Sequence, residues 1–335
     1  MRCMRIRKGE GLDRLKLEEA DEPGSPGPGE IKVRVRACSL NYHDYAVCAG
    51  MMETQDGRVP MADGAGEVEE IGEGVTGFRT GDRVVSVFFP QWQDGEATEA
   101  GFGKTPGDGV DGFAQEVVVR PASAFTHAPE GWDHAQSACL PTAALTAWRA
   151  LVVEGGLKAG DTVVTMGTGG VSIFALQMAR AMGARVIATS SSDEKRERLD
   201  GLGAAHTINY EKTESWGETV RELTGGRGAD IVVEVGGPAT LPHSIKALRV
   251  GGRIVLIGVL TGVSGDIPTA LLMHKQAQIH GVTVGSRQHQ IDMIRGLEAS
   301  GVKPVIDRQF DLEELADAFR HEKAGEHFGK IVVRL

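Results

Sequence analysis

Apolar and polar positions alternate along residues 31–37, with Ile31, Val33, Val35 and Ala37 on one side and Lys32, Arg34 and Arg36 on the other. A period of two is that of a strand with one buried face. The turn-forming run Pro23-Gly24-Ser25-Pro26-Gly27-Pro28-Gly29 precedes it, and glycine-bounded apolar runs predict further short strands at 66–71, 82–88 and 113–119. The first third of the chain therefore reads as an irregular β domain. Residues 89–112 break the rhythm, being rich in Gly, Asp and Glu with little periodicity. A patternless stretch of that length is usually functional or mobile.

From about residue 130 the grammar changes to strands alternating with amphipathic helices. Strands are predicted at 161–166, 185–189, 206–208, 230–235, 253–258 and 279–284, and helices at 171–182, 193–201, 214–224 and 239–248. Such alternation predicts a parallel, doubly wound sheet covered on both faces. Helices at 288–299 and 311–321 and a last strand at 330–335 follow, and are expected to pack back on the N-terminal β domain.

Composition narrows the class. The 335 residues carry 36 Lys+Arg against 46 Asp+Glu, a net charge of −10, with no basic stripe; binding to a nucleic-acid backbone needs the opposite. No apolar run approaches the length that spans a bilayer. Residues 1–8 lack an apolar stretch behind their basic residues, so no secretory signal is expected. The four cysteines (Cys3, Cys38, Cys48, Cys139) show neither Cys-x-x-Cys pairing nor a histidine at ligand spacing. A reduced, cytoplasmic compartment is the expectation. Cys48 and Cys139 read as small buried hydrophobes.

The strongest local signal is VVTMGTGGVS at residues 163–172, at a strand-to-helix junction. There, backbone N–H groups and the positive end of a helix face a pyrophosphate, and small residues allow it to approach. Gly167, Thr168, Gly169, Gly170 and Val171 are the candidate cradle, with Ser172 where the fingerprint usually has its third glycine. Selection between cofactors is read about 20 residues on. Ser190, Ser191 and Ser192 stand there, with Lys195 and Arg196 close by. Hydroxyls beside a cation suit a 2′-phosphate, so NADP(H) is expected, with NAD(H) as the alternative. Asp193 is the dissenting residue, since a one-position shift would make it an NAD selector.

Several landmarks then fall in one order along the chain: Ser39-Leu40-Asn41-Tyr42-His43-Asp44, Asp63-Gly64-Ala65-Gly66-Glu67-Val68, Gly81-Asp82-Arg83-Val84, Leu140-Pro141-Thr142-Ala143-Ala144-Leu145-Thr146-Ala147-Trp148, the glycine turn, and Phe328-Gly329-Lys330-Ile331-Val332-Val333. With them the chain resembles the medium-chain dehydrogenase/reductases, and in particular their zinc-independent, quinone oxidoreductase-like branch. The resemblance implies an α/β protein with a Rossmann domain (128–284) and a GroES-like irregular β-barrel catalytic domain (1–127, completed by 285–335). It also implies a homodimer, with residues 254–260 and 279–284 offering apolar sheet edges, and neither nucleic acid nor membrane as partner.

Zinc-dependent members of that family hold the metal with Cys, His and Cys. The matching positions here are Asn41, Ala62 and Thr142, so no metal ligand is expected. Without a Lewis acid, hydride delivery to a conjugated carbon is easier than to a simple ketone. The expected activity is NADPH-dependent reduction of quinones or α,β-unsaturated carbonyls. The alternatives are an alcohol dehydrogenase relaying its proton through His43, or a protein that binds NADPH without turnover. His43 is the candidate acid/base, with Tyr42 as an alternative donor. The resemblance puts Asn41 and Thr146 beside the nicotinamide, Tyr210 beside the adenosine phosphate, and Ser286, Arg287 and Lys330 at a tail that closes on the cofactor; Lys330 is either a pyrophosphate contact or a strand-end charge. Gly236, Gly258 and Val259 end later strands at the sheet's carboxyl edge, where such sheets bind ligands. Phe89 and Trp92 are read as a substrate lid or, equally, as part of a surface loop.

Overall fold

The computed structural model describes all 335 residues, and the chain divides into two compact units. The first comprises Met1–Leu145, Val284–Ala299 and Lys303–Leu335; the second comprises Thr146–Thr283 and 300–302. The first unit runs past the expected boundary at 127 because the helix His134–Ala138 packs on its strands Glu30–Ser39, Asp63–Ile71 and Arg83–Ser86.

In the first unit the alternating segment forms the long strand Glu30–Ser39, which anchors a seven-stranded sheet. The strand order is Ile306–Asp311, Lys330–Arg334, Glu30–Ser39, Asp63–Ile71, Arg83–Ser86, Phe125–His127, with Val117–Pro121 also pairing with Glu30–Ser39. The C-terminal strand thus lies antiparallel to one made from the first forty residues, in the register Val333↔Cys38. Ile31, Val33, Val35, Phe125, Phe319 and Ile331 fill the core. A separate two-stranded sheet pairs Arg2–Ile6 with Leu15–Glu19.

The second unit contains an all-parallel six-stranded sheet. Its order is His206–Asn209, Arg185–Ser190, Thr162–Met166, Ala229–Glu234, Leu248–Leu256, Gln278–Gly281, the doubly wound arrangement that the alternation predicts. Two boundaries move for local reasons. The helix after Ala229–Glu234 stops at Ala247, because Leu248 already pairs with Ala229 across a register shift. The last strand stops at Gly281, before Val284 takes a φ of +47°, which a β-branched residue cannot hold within a strand. Leu248–Leu256 is paired on both sides, so residues 254–256 are interior, and the edges of the sheet are His206–Asn209 and Gln278–Gly281.

Candidate functional site

The polar cluster of the first unit is built on the short helix Tyr42–Cys48. Asn41 caps it, and the Asn41 backbone N–H donates to Asp44 Oδ2 at 3.0 Å. The Asn41 side-chain amide donates to Asp63 Oδ2 at 2.9 Å and to Asp44 Oδ2 at 3.1 Å, while its oxygen accepts from Lys330 Nζ at 2.6 Å. Lys330 also donates to the carbonyl of Leu40, and Thr142 Oγ1 donates to Asp63 Oδ1 at 2.6 Å. The second oxygen of Asp44 accepts from the N–H of Ala62 at 2.8 Å. All of these carboxylates and the ammonium are buried. Burial pushes the Asp63 carboxyl up to about 6, and the neighbouring Asp44 adds to this against the pull of Lys330.

This donor set does not fit zinc. Alanine has no ligating atom, the amide of Asn41 is fully engaged, and the Thr142 hydroxyl is spent on Asp63. An ammonium already supplies positive charge to the cluster. Burial holds the Cys139 thiol up at about 12 and the Cys38 thiol well above its ordinary value, so neither is a ready thiolate.

His43 follows Asn41 on the first turn. Its Nε2 lies 3.0 Å from Asp108 Oδ2, its Nδ1 lies 3.7 Å from Asp44 Oδ1 with no hydrogen bond, and the ring meets Phe88 edge-on at 5.3 Å. Burial alone would lower the imidazole pKa. The hydrogen bond to Asp108 and the adjacent Asp44 outweigh it and push the group up to about 10. The charged imidazole in turn holds Asp108 below the ordinary carboxylate range, against the opposing effect of its own burial. Tyr42, on the same turn, is half exposed.

Phe89 and Trp92 are not free lid residues. Both are buried in an aromatic cluster in which the Phe89 ring lies 4.8 Å from Phe102, and Trp92 packs edge-on against Phe102 and His289. The backbone N–H of Arg287 donates to the Trp92 carbonyl at 3.0 Å, and the Arg287 guanidinium donates to the Phe125 carbonyl at 2.9 Å. Ser286 is buried, with its hydroxyl accepting from the His289 N–H. These contacts, like those of Lys330, lie within the first unit and give each residue a structural partner.

The second unit carries the glycine turn. Gly167 has a φ of +71°, Gly169 caps the helix Gly170–Ala181 without a side chain, and nothing lies within 4 Å of where a Cβ would stand on either residue. Open space over an uncapped helix start fits a pyrophosphate. Thr168 is buried at the turn and Val171 stands partly exposed on the first helical turn. Ser172 replaces the third glycine by turning its hydroxyl back onto the Met166 carbonyl, at 2.5 Å. Thr146 is buried in a helical stretch between two wider turns, Leu140–Ala144 and Arg149–Glu154.

Beyond the second strand, Ser190 Oγ accepts from the Ser192 N–H, and Ser192 caps the helix Asp193–Gly201 by accepting from the Lys195 N–H at 3.3 Å. Ser191 is exposed. Asp193 is gripped by Asn209 at 2.8 Å, Arg196 at 3.0 Å and Lys212, which hold it below the ordinary carboxylate range. Tyr210 follows Asn209 and is more than one-third exposed. Glu234, which the motifs did not flag, organises the next loop. Its buried carboxylate accepts from the N–H groups of Gly236 and Gly237 at 2.7 and 3.0 Å, and from the hydroxyls of Thr240 and Ser244. Glu-Val-Gly-Gly with its acid at a strand end was the available signal. A Cβ on Gly258 would run into the Val235 carbonyl, and Val259 is half exposed beside it.

Two family models match, an alcohol dehydrogenase GroES-like domain over residues 27–130 and a zinc-binding dehydrogenase over 170–299. A zinc-type alcohol dehydrogenase-like protein of Schizosaccharomyces pombe is 41% identical over 333 residues, covering 97% of this chain and 96% of its own. The chain belongs to the medium-chain dehydrogenase/reductase superfamily. It is an NAD(P)-dependent oxidoreductase with the two-domain fold of that family. Among solved structures, an NAD-dependent alcohol dehydrogenase superposes with a TM-score of 0.91 at 35% identity over the whole of both chains. A thermostable alcohol dehydrogenase from Pyrobaculum aerophilum superposes at 0.86 and 30% identity, over 100% of this chain and 99% of its own. No helix is long and apolar enough to cross a membrane.

Proposed function

We propose that this medium-chain dehydrogenase/reductase reduces conjugated carbonyl compounds (quinones, enones or enals) with NADPH and without zinc. The observation that carries this reading is His43 held between Asp44 and Asp108 in its charged form. A group that keeps its proton at neutral pH is placed to give one to the acceptor during reduction.

The glycine turn, Ser190, Ser191, Lys195 and Tyr210 would hold the dinucleotide, with Gly236, Gly258 and Val259 lining the sheet's carboxyl edge. When bound, the cofactor supplies a hydride, a hydrogen nucleus with its electron pair, to the conjugated carbon. The protein's part is to deliver a proton to the oxygen or the α-carbon. The charged imidazole of His43, bonded through Nε2 to Asp108, is the source of that proton in this reading and is afterwards reprotonated from solvent. Serine hydroxyls with a lysine beside them favour a 2′-phosphate, and the pairing of Asp193 with Arg196, Lys212 and Asn209 offsets the acidic charge that would repel it. The free edge at Gln278–Gly281, close in sequence to exposed Val263 and Met273, supports a homodimer joined through this unit.

The test is a matched panel: NADPH with quinones and enones, and NADP⁺ with alcohols. NADPH consumption confined to conjugated acceptors is the expected result. Alcohol oxidation at comparable rates overturns the reading, and tight NADPH binding with silence in both arms marks a non-catalytic protein.

A further inference from the structure

Asp108 lies inside the long segment 89–112, 65 residues from His43 in sequence, and still meets the imidazole at hydrogen-bond distance. The turn that presents it is firmly built. Gly107 has a φ of +94°, and a Cβ there would stand 3.1 Å from the Met61 backbone nitrogen, so the turn requires glycine. The Gly107 N–H donates to the Val110 carbonyl, and the N–H groups of Gly109 and Val110 both donate to the Thr105 carbonyl. Thr54 Oγ1 holds the carbonyl of Asp108 itself, and Gly112 and Phe113 are bonded to Val59 and Met61. The carboxylate is thus delivered to the ring by a pinned turn rather than a wandering loop.

The groups around the ring are few. Asp44 faces Nδ1 from the ring's own helix, Asp108 takes Nε2, and Phe88 packs against its face. The outer side of Asp108 borders a surface groove that also includes Arg14, Glu53 and Arg58. Asp44 is already occupied by the N–H of Asn41, the amide of Asn41 and the N–H of Ala62. Asp108 is therefore the carboxylate that bonds directly to the imidazole.

We infer that Asp108 is the positioning residue for His43, fixing the ring through Nε2 and keeping it in its proton-donating form, so that a turn of segment 89–112 completes the acid. This rests on the proposed role of His43 as the acid. With Asp108 neutralised, the ring loses a counter-charge at contact distance and titrates closer to neutrality, where it can also serve as a base.

The experiment labels histidine with ¹⁵N and follows the His43 imidazole by NMR in the unliganded native chain, Asp108→Asn and Asp108→Glu, alongside pH profiles of NADPH-dependent reduction. Asparagine keeps the size and a hydrogen-bond acceptor but loses the charge. The expected result is a titration midpoint lowered by about one to three pH units in Asp108→Asn, with the basic limb of kcat moving by the same amount and KM changing less than kcat. At pH 9, where a native ring titrating at about 10 is still mostly protonated, kcat falls about twofold for a midpoint drop of one pH unit, about tenfold for two and about a hundredfold for three. Asp108→Glu should recover much of both. An unchanged His43 midpoint in Asp108→Asn overturns the inference while leaving the proposed reduction intact. Full reductase activity in His43→Gln overturns the reading beneath it, whatever the NMR shows.

Discussion

Lys330 Nζ donates to Asn41 Oδ1 at 2.6 Å, joining positions 289 residues apart inside a buried cluster. Its only other acceptor is the Leu40 carbonyl. Replacing it with methionine keeps the bulk but strands Asn41 and leaves Asp63 and Asp44 without the nearby positive charge. Lys330→Met is expected to destabilise the catalytic unit by roughly 3 kcal/mol, read by calorimetry as a melting transition lowered by several degrees. An unchanged transition would show that the ammonium carries no net stabilising role.

The same cluster bears on metal content. Elemental analysis of the purified protein is expected to find well under one zinc per chain, and dialysis against a chelator is expected to leave reduction unaffected. A full equivalent of zinc lost together with activity would overturn the zinc-free mechanism.

Glu322 provides a pH-dependent test. Its Oε2 is enclosed without a hydrogen-bond partner, and burial pushes the carboxyl up to about 7 despite the nearby Lys330. A carboxyl whose folded pKa lies above its unfolded value costs nothing while protonated in both states. It costs stability as pH rises from about 4.5 to 7, when the unfolded chain ionises first. Glu322→Gln is therefore expected to stabilise the protein by about 2–3 kcal/mol at pH 8 and hardly at all at pH 4. Equal effects at both pH values in denaturant melts would contradict this.

Cofactor choice can be read at Lys195. Lys195→Ala should raise KM for NADPH about tenfold or more, the scale of one charge-assisted hydrogen bond, and leave KM for NADH within about twofold. Parallel losses for both cofactors would place Lys195 outside the phosphate site.

His43→Gln should lower kcat for reduction by about 10²–10⁴, the range for losing a general acid, with NADPH affinity by fluorescence titration unchanged. Retained kcat would transfer the proton role elsewhere, Tyr42 being the first candidate.

Much of the second unit was legible because each of its elements declares itself locally. The helix Asp193–Gly201 matches its pattern at both ends, and Thr162–Met166 is one uninterrupted buried run. The strand Arg2–Ile6 was missed because its sequence, RCMRI, sets two adjacent sulfur-bearing residues between two arginines and so shows no period of two. Ile306–Asp311 was missed because Asp311 starts the following helical turn, and its helix-cap signal hid the strand before it. In the site, Asn41 and His43 stood out on one motif. Asp108 did not, since an aspartate in a glycine-rich stretch looks like any solvated turn residue until the fold carries it to the imidazole. For Lys330 the sequence leaves a pyrophosphate contact and a strand-end charge equally open, because no local pattern shows that a strand-end lysine points inward.

The placement of the C-terminal strand between Ile306–Asp311 and Glu30–Ser39 has a consequence for how this protein is born. Lys330 lies far downstream of Asp44 and Asp63 in the sequence, so the two carboxylates wait through synthesis of the whole intervening chain for their counter-ion. The parallel sheet, encoded without interruption between 146 and 283, is complete well before that. The nascent catalytic half is the portion that chaperones and proteases meet unfinished, and a stop codon just ahead of Lys330 would leave it so for good.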